Sequence, residues 1–417
     1  MREERTEVLV VGAGPVGLAS ALLLAEAGLE VSLIDREERT TARSYACALH
    51  PSTLELLDRL GLATLLLEHG RRVPTVALYD GEERRAEVRL SALSQKFPFL
   101  LILPQSALET ALEQRLRKAG IIVNWNHRFA GFQDETAEVA AIIEELGGTS
   151  TGYIVPHWET IVKRRTTLRA QFIVGADGRH SMVRQRLGLD SERAGGTESF
   201  AAYEFEAEKA GEDEVRIVLD NASTNVLWPL PGNKYRWTFQ MAEAGAAAVF
   251  PEKERRAARL ASPVVDEKIR QYVQKIAGER APWFSMGVKE ITWCTRVVFE
   301  HELVRQFGRN RCWLAGDAAH QTGPAGVQSM NAGFLEAEAL AESVRKVVRE
   351  NGSMQLFEAY NRQWREQWRR LLGLAGGLKG RAQTSEWIRG RAGRILPCLP
   401  GVRDLGEMAR QIGLEFE

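Results

Sequence analysis

The first 35 residues contain the pattern that most restricts how this chain can fold. An apolar, β-branched run at residues 8–11 predicts a buried strand, and apolar positions at helical spacing from Leu18 to Gly28 predict a helix. Between them lies a glycine-rich turn made of Gly12, Ala13, Gly14, Pro15, Val16 and Gly17. Strand, glycine-rich turn and helix in this order predict the first unit of a parallel α/β sheet.

The spacing of the glycines also predicts a ligand. The first glycine permits the turn, the second lets the backbone approach a pyrophosphate, and the third lets the helix pack on the strand. A second apolar run, residues 31–34, ends at Asp35, 18 residues after Gly17. This is close to the spacing of about 20 expected for the acid that accepts a ribose hydroxyl. We therefore predict a dinucleotide site, and the alternative is a glycine-rich turn that binds nothing.

A second glycine-rich stretch follows later in the chain. The apolar run 312–315 predicts a buried strand that ends at Gly316 and Asp317. Glycines and a proline then suit a tight loop, and a helix rich in small residues begins at Asn331. A glycine-rich loop that leads into a helix exposes free backbone N–H groups, which hold anionic or electron-rich ring edges. We interpret this stretch as a loop that wraps the flavin end of an FAD molecule.

The overall composition excludes several other classes of protein. Lys plus Arg and Asp plus Glu number 55 each among 417 residues, so the chain lacks the positive charge of a nucleic-acid-binding protein. Hydrophobic residues make up 44 %, which is typical of a globular enzyme with two or three structural units. The four cysteines form no CxxC pair and the seven histidines show no ligand spacing, so we expect no metal site.

The length of the apolar runs and the charge of the N-terminus indicate where in the cell the protein is located. No apolar run approaches the roughly 18 residues that cross a bilayer, and the N-terminus is charged where a signal peptide is apolar. We expect a cytoplasmic protein.

Residues 353–417 predict helices that are basic between residues 362 and 394, with Trp364, Trp368 and Trp387 among the arginines. A membrane-surface helix has this composition, and so does a helical cap that is solvated on one face, which we favour.

The middle of the chain predicts a second sheet. Turn signals at residues 80–81 and 231–233 indicate hairpins. β-branched and aromatic runs predict strands at 200–205, 215–219, 225–230 and 235–241. In the last strand, apolar side chains alternate with Lys234, Arg236, Thr238 and Gln240, so one face packs and the other meets solvent or a ligand. Helices are predicted at 105–120, 252–260 and 264–278, and a small antiparallel sheet at 121–169.

Three sequence motifs stand in a fixed order: GAGPVG with Asp35, then VGADGRHSMVRQRLGL at 174–189, then LAGDAAHQTGPAGVQSMN at 314–331. Together they resemble the class A flavoprotein monooxygenases, the family of p-hydroxybenzoate hydroxylase, over roughly residues 5–350. The resemblance implies an α/β fold with a Rossmann-type FAD-binding domain, an inserted β-sheet substrate domain and a C-terminal helical segment. It assigns residues 1–72, 97–185 and 296–350 to the first, 73–96 and 186–295 to the second, and 351–417 to the third.

The same resemblance implies a set of cofactor contacts. Asp35 would bind the adenosine ribose, Asp317 the ribityl chain, and Met330 and Asn331 would lie beside the flavin ring. The implied cofactor-binding residues are Gly12, Ala13, Gly14, Pro15, Val16, Gly17, Asp35, Arg36, Arg43, Gln105, Asp177, Gly178, Gly316, Asp317, Gly326, Met330 and Asn331. For Arg43, a solvated surface arginine is the alternative.

Two further residues are implied to act at the reacting centre. Pro324 would lie near the reacting edge of the substrate, and Arg236 matches a strand arginine that faces the flavin ring in some members. Position 238 is a threonine, so activation of a phenol by a tyrosine of this strand is not supported. His320 is a candidate general base, but a histidine within GDAAH more often has a structural hydrogen-bonding role.

Four positions depart from the family pattern. Gly323 stands where a proline is common, Val327 and Ser329 stand where many members carry glycine, and Glu336 replaces a frequent aspartate. Ser329 matters most for the expected chemistry, because a Cβ packed against the ring alters the mobility of the flavin.

The resemblance also implies a reaction. Hydride would pass from NADH or NADPH to FAD, O2 would add at the flavin C4a, and the distal oxygen of this hydroperoxide would go to an aromatic or polycyclic small molecule. No second GxGxxG motif is present, so we expect NAD(P)H to dock transiently over the flavin. The same motifs fit a flavin oxidase or dehydrogenase without oxygen insertion, and a non-catalytic protein that sequesters a ligand.

Several aromatic residues lie in the second half of the chain. The aromatic residues of the second half suggest a hydrophobic pocket, although a plain core would use the same side chains. They are Trp228, Trp237, Phe239, Trp283 and Phe284.

Overall fold

The structure is a computed structural model that describes residues 4–39, 48–93, 96–151, 157–242 and 263–417. A main sheet with a parallel centre, a second and largely antiparallel sheet, and a helical C-terminal part make up the chain. The predicted mixed α/β fold class is confirmed. The predicted boundaries between domains stay a prediction, and the predicted helix 252–260 lies outside the described residues.

The secondary-structure elements of the described ranges are as follows. The helices are α1 (Pro15–Glu26), α2 (Pro51–Arg59), α3 (Ala63–His69), α4 (Gln105–Lys118), α5 (Met182–Leu187), α6 (Pro263–Arg280), α7 (Gln328–Glu350), α8 (Gln355–Leu371), α9 (Glu386–Ile395) and α10 (Leu405–Gln411). The strands are β1 (Glu4–Val11), β2 (Val31–Ile34), β3 (Ala48–Leu49), β4 (Arg71–Val73), β5 (Thr75–Asp80), β6 (Glu83–Arg89), β7 (Leu100–Ile102), β8 (Val123–Asn124), β9 (His127–Asp134), β10 (Val139–Thr151), β11 (His157–Gly175), β12 (Ser191–Arg193), β13 (Glu198–Glu206), β14 (Glu214–Leu219), β15 (Thr224–Pro229), β16 (Lys234–Met241), β17 (Glu290–Phe299), β18 (Glu302–Val304), β19 (Gly308–Arg309), β20 (Cys312–Leu314), β21 (His320–Gln321), β22 (Leu378–Gly380) and β23 (Leu414–Phe416).

The main sheet brings the carboxyl ends of β1, β2, β11 and β20 to one edge. Its strand order is β19-β20-β11-β1-β2-β8, and β10 and β9 extend it by antiparallel pairing along β11. The parallel registers align Val11 with both Gly175 and Ile34, and Gly175 with Leu314. The turns that follow these strands therefore lie side by side, at the edge where open α/β sheets bind nucleotides.

The predicted small antiparallel sheet at 121–169 is present as β9, β10 and β11, and it continues the main sheet. β11 is 19 residues long: residues 157–170 pair with β10, and residues 168–175 lie beside β1 in the main sheet. Residues 159–165 are exposed, so they lack the alternation of buried and exposed positions that marks a strand in a sequence. The sequence therefore predicted the antiparallel pairing but not the continuation of β11 into the main sheet.

The second sheet has the order β17-β13-β16-β15-β14-β5-β6. Its two faces differ as the alternation in β16 predicts. One face, with Tyr203, Trp237 and Phe239, packs against α6 and forms a core of its own. The other face contributes Trp228 and its aliphatic neighbours to the core of the main sheet.

The aromatic pocket suggested by the sequence is for the most part a core. Trp237 and Phe239 are fully buried, and Trp283 and Phe284 pack against them in the α6 core. Of the five aromatic residues, Trp228 is the one that lines a cleft. The β16 aromatics therefore pack against α6 behind the sheet and do not line this cleft.

The C-terminal part is built into the core of the main sheet. The indole rings of Trp364 and Trp368 in α8 are buried there. Arg369 pairs with Glu192 at 2.8 Å, and the α9 guanidinium of Arg394 donates to the Asp220 carbonyl at 2.6 Å. The apolar face of α8 is thus covered by protein, which favours the helical cap over a membrane-surface helix. β22 and β23 form a short antiparallel pair that the all-helical prediction missed.

The described helices include no candidate for a membrane-spanning segment. Among the residues that the structure describes, none of the helices combines the length and the hydropathy needed to cross a bilayer.

The packing of α8 yields a stability test. The ring of Phe357 is fully buried between Phe172 and Trp313, with centroids 5.1 Å from each. We expect Phe357→Ala to lower the free energy of unfolding by about 3–5 kcal/mol, because it leaves a cavity in the main core. Chemical denaturation measures this. Met354→Ala, at a side chain that is 38 % exposed, is the control and should change stability by less than about 0.5 kcal/mol.

Candidate functional site

The first and second motifs are in direct backbone contact at the edge of the main sheet. Gly12 adopts a φ of +103°, and an added Cβ there would lie 2.4 Å from the Ala176 carbonyl oxygen. An added Cβ on Gly17 would lie 1.8 Å from the Gly12 carbonyl oxygen, so α1 approaches the turn as closely as a backbone can. The first glycine permits both the turn and its contact with residues 176–177, and the third permits the helix packing.

The third motif joins this contact through Val16. The Val16 side chain packs in a small cluster with Ala176, Ala315 and Ala337. An added Cβ on Gly316 would lie 3.0 Å from the Val16 Cγ2 atom. The three motifs that are separated in sequence therefore meet around one valine.

The acid predicted for the ribose is fixed by the glycine-rich turn. Asp35 accepts a hydrogen bond from the Ala13 N–H at 2.6 Å and another from the Glu37 N–H at 2.8 Å. Arg36, next to it, is exposed and forms an ion pair with Glu37 at 3.4 Å. The space between the three turns, at Gly12–Gly17, Ala176–Gly178 and Gly316–Asp317, is called the crevice below. Asp35 is oriented at its mouth, while the side chain of Arg36 lies along the surface. Arg43 lies outside the described residues.

The crevice has the open space and the donors that a dinucleotide requires. An added Cβ at Gly14 would meet no atom within 4 Å, and the same is true at Gly178. Gly14 is also the N-cap of α1, which has no side-chain cap, so its first N–H groups face this open space. Asp317 is exposed there although Gly316 and Ala318 beside it are buried. These residues fit a pyrophosphate at α1 and a hydroxylated chain at Asp317.

Asp177 has a structural role in addition to its position in the crevice. Its carboxylate accepts from the Ser181 hydroxyl at 2.5 Å and from the N–H groups of Met182 and Val183 at 2.6 and 3.1 Å. Desolvation raises the pKa of Asp177, and these hydrogen bonds act in the opposite direction. The carboxylate caps α5, so the open backbone at Gly178 is what this motif presents to a ligand.

Asn331 and His50 fix the start of α7. The Asn331 side chain is fully buried, accepts from the His50 N–H at 2.8 Å and donates to the carbonyls of Ala48 and Val327 at 3.0 and 2.8 Å. His50 Nε2 lies 2.9 Å from the Gly326 carbonyl oxygen, to which it donates. Asn331 thus orients the loop before α7, and Met330 beside it is half-buried.

Gln105 begins α4 and donates to the Glu109 carboxylate at 2.7 Å. Gln105 is half-buried and Glu109 is buried, so this pair lies largely inside the protein. Its contact with a cofactor stays a prediction.

A buried hydrogen-bond network lies behind the third motif. Glu336 in α7 is fully buried and accepts from the Gly316 N–H at 2.8 Å and from the Trp368 indole N–H at 2.6 Å. His320 Nε2 lies 2.9 Å from the same carboxylate, and its ring stacks on Trp368 with centroids 3.7 Å apart. His320 is therefore the structural hydrogen-bonding residue that the sequence favoured. Trp368 carries no local sequence signal, because its partner is 32 residues away.

A cleft separates the loop of the third motif from the second sheet. Pro324 and Val327 line it from the loop, and Arg236 lies on the sheet face opposite. The space inside is about 30 Å³, close to the volume of one water molecule. The structure thus brings together Arg236 and Pro324, the two residues predicted to act at the reacting centre.

A row of four side chains crosses the sheet at this cleft. Register pairs Trp293 with Glu204, Glu204 with Arg236, and Arg236 with Trp228. Arg236 is 4 % exposed, donates from Nε to the Glu204 carboxylate at 3.0 Å, and lies over the Trp293 ring at 5.5 Å. Glu204 and Trp293 were missed from the sequence, because only the strand register places them beside Arg236.

A comparison with family models shows the family of this chain. The model of the family described as FAD binding domain matches residues 5–373. The chain belongs to this family. Membership supports FAD as the dinucleotide for which the crevice is built, in agreement with the open backbone at Gly14 and Gly178.

Similar proteins support the same placement. The chain is 30 % identical over 362 residues to 6-methylpretetramide 4-monooxygenase from Streptomyces rimosus, covering 85 % of this chain and 58 % of that protein. It is 29 % identical over 365 residues to para-nitrophenol 4-monooxygenase from Pseudomonas sp. (strain WBC-3), covering 85 % and 81 %. The crystal structure of p-nitrophenol 4-monooxygenase from Pseudomonas putida DLL-E4 shares the fold, with a TM-score of 0.73, 22 % identity, and coverage of 98 % and 99 %. The chain spans less than two thirds of the first of these relatives.

The two glycines of the first turn yield a matched test of the crevice. We expect Gly12→Ala to destabilise the protein by at least about 2 kcal/mol, because it combines a positive φ with a backbone clash. Gly14→Ala should leave the stability of the flavin-free protein within about 1 kcal/mol. Its FAD affinity should fall about tenfold or more, since the new Cβ occupies the space of the pyrophosphate. Thermal denaturation and flavin fluorescence titration measure the two effects, and wild-type FAD affinity in Gly14→Ala would contradict this placement.

The buried His50 yields a pH dependence. Burial lowers the pKa of His50 from 6.5 to about 4, so the unfolded chain binds one more proton than the folded chain between these values. Stability contributed by neutral His50 should therefore be complete above about pH 6.5 and lost progressively as the pH falls to about 4. Between these two pH values, the contribution of His50 to the free energy of unfolding should change by about 3 kcal/mol. Urea denaturation at several pH values should show this slope, and His50→Gln should reduce it.

Proposed function

We propose that this protein is an FAD-dependent monooxygenase that uses NADH or NADPH and O2 to hydroxylate an aromatic or polycyclic small molecule. One observation carries the proposal: the segment that runs from Asp317 at the crevice to α7 also lines, through Pro324 and Val327, a cleft whose far wall presents Arg236. A flavin that follows the crevice past Asp317 would reach this loop with its ring. The names of the relatives, which include phenol and polycyclic monooxygenases, support the reaction class.

In this proposal each turn holds one part of FAD. The N–H groups at the start of α1 bind the pyrophosphate, and Asp35 accepts a hydroxyl of the adenosine ribose. Asp317 accepts hydroxyls of the ribityl chain, and the loop before α7 holds the ring edge. FAD, once reduced by NADH or NADPH, supplies the activation of O2 and the oxygen transfer.

The cleft side chains position the substrate and exclude water. Trp228 and Trp293 provide apolar area on either side of the polar pair. Arg236 and Glu204 offer one donor group and one acceptor group to a hydroxylated ring. Because the cleft now holds only about 30 Å³, an aromatic substrate must displace side chains as it enters, and those side chains then close around the reacting ring.

Labelled oxygen tests the proposal. The FAD-loaded protein is incubated with NADH or NADPH, 18O2 and a panel of phenols and polycyclic phenols that includes 4-nitrophenol. We expect one or more compounds to accelerate NAD(P)H oxidation and to yield a product that contains one 18O atom. Oxidation that releases only peroxide would indicate an oxidase or dehydrogenase. FAD that neither donor reduces would indicate a ligand-sequestering protein.

A double variant tests the role of the cleft. Arg236→Met with Glu204→Leu removes both partners of the ion pair and so leaves no unpaired buried charge. We expect it to fold and to bind FAD, but to form product at least tenfold more slowly. The matched control is Arg270→Met with Glu267→Leu, which removes an exposed ion pair of 2.5 Å on α6. Equal rates in both variants would contradict the assignment of the cleft as the substrate site.

A further inference from the structure

One cluster of polar side chains lies next to the cleft, because each of its three members is two residues away from a residue that lines the cleft. Glu198 opens β13 on the same face as Phe200 and Ala202, which line the cleft. His301 lies in the loop between β17 and β18, and its carbonyl accepts from the Ala194 N–H at 2.8 Å. Thr322 is buried in the loop of the third motif, two residues before Pro324.

His301 connects a carboxylate with a hydroxyl. Its Nε2 lies 3.0 Å from Glu198 Oε2, and its Nδ1 lies 3.4 Å from Thr322 Oγ1. The hydrogen bond from His301 lowers the pKa of Glu198, so Glu198 is ionised and requires a proton on Nε2. In neutral His301 the lone pair is then on Nδ1 and faces the Thr322 hydroxyl, which is the arrangement of a general base oriented by an acid.

The glycine at position 323 makes room for this pair. An added Cβ on Gly323 would lie 3.3 Å from Glu198 Oε2 and 3.6 Å from His301 Cε1. The proline that is common at this position in the family would therefore crowd the carboxylate. Gly323, which looked like an unexplained departure in the sequence, is explained by the close approach of the loop to Glu198 and His301.

The other polar and charged groups near Glu198 and His301 leave the hydrogen bond between these two residues in place. Gln240 Nε2 donates to Glu198 Oε1 at 3.0 Å, and Arg394 of α9 adds positive potential at the same carboxylate. Glu302, next to His301 in sequence, pairs with Arg193 at 3.0 Å, and Glu300 lies 3.8 Å from the same guanidinium.

We propose that Thr322, His301 and Glu198 form a proton relay that deprotonates the hydroxyl of the bound substrate. This inference rests on the proposed function. The substrate O–H proton passes to Thr322 Oγ1 while the Thr322 proton passes to His301 Nδ1, so the substrate becomes a phenolate and His301 an imidazolium. The ionised Glu198 stabilises the imidazolium. His301 and Glu198 are 15 % and 35 % exposed in their side chains, so the proton leaves to solvent. An electron-rich phenolate is the better acceptor of oxygen.

A phenol whose two forms differ in colour tests the relay without turnover. The FAD-loaded protein is saturated with 4-nitrophenol in the absence of NAD(P)H, and the absorbance of its phenolate is followed from pH 5 to 9. We expect wild-type protein to ionise the bound phenol at lower pH than free solution does. His301→Gln and Thr322→Val should shift this ionisation upward by about one pH unit or more. Thr322→Ser, which keeps the hydroxyl, should behave as wild type.

The pH dependence of product formation gives a second measurement, which His301→Gln would not change if His301 had only a structural role. With 4-nitrophenol as the substrate, His301→Gln should lower the rate of product formation about 100-fold at low pH. The loss should disappear at high pH, where the phenol ionises unaided. The control is His69→Gln, at an exposed histidine that ends α3.

The outcomes separate this inference from the proposed function. Wild-type ionisation in His301→Gln and Thr322→Val, a bound phenol that ionises as in free solution, or no binding of 4-nitrophenol to wild-type protein would each overturn the relay. The titration needs neither NAD(P)H nor O2. A protein that ionises the bound phenol but inserts no 18O would retain the relay and contradict the monooxygenase function. A protein that inserts 18O but leaves the ionisation of the bound phenol unchanged would retain the monooxygenase function and contradict the relay.

Discussion

Close backbone approach at the carboxyl edge of the main sheet is the constraint on which the rest of the structure depends. At Gly12 and Gly17 a side chain would penetrate a carbonyl group, and at Gly316 and Gly333 it would press on Val16. Because these positions carry no Cβ, three turns from distant parts of the chain form a single crevice. A methyl group at Gly12, Gly316 or Gly333 would push the turns apart, and one at Gly17 would push α1 away from its own turn. The ligand would then meet separate loops instead of one continuous surface.

A buried carboxyl group supports the same edge from behind. A buried polar group without hydrogen-bond partners costs several kcal/mol in a protein interior, and Glu336 is fully buried. Donors from the third motif, from His320 and from Trp368 of α8 surround it. The C-terminal helices are thereby part of the support of the crevice, because α8 supplies one of the hydrogen bonds that Glu336 requires. Removal of that helix would leave an oxygen of Glu336 without its hydrogen-bond donor directly behind Gly316.

The loop between the crevice and the cleft is strained and clamped on both sides. Val327 has a φ of +50°, which costs a β-branched residue about 1–3 kcal/mol. Asn331 holds the loop from one side, and on the other side the Gln328 amide donates to the Leu399 carbonyl. An added Cβ on Gly326 would lie 2.4 Å from the Pro397 carbonyl oxygen. A loop fixed in this way presents Pro324 and Val327 rigidly to the sheet, which is what a site for precise positioning requires.

The sequence by itself determined the crevice, because its signals are local. Strand, glycine turn and helix follow one another within the first 28 residues, and Asp35 closes the pattern. The alternation in β16 likewise determined which face carries Arg236, since neighbouring residues of a strand point to opposite sides. The α/β class and the strands and helices of the second sheet follow from the same kind of evidence.

Only the tertiary structure decided what meets across elements. The partners of Arg236, of Glu336 and of His301 are 32, 16 and 103 residues away, and no periodicity in the sequence encodes such distances. The long β11 was missed because its exposed half has no buried face, and Trp237 and Trp228 look alike in the sequence although one supports the sheet and the other faces the cleft. Local patterns record how a segment folds, whereas the choice between core and site depends on which other surface covers it.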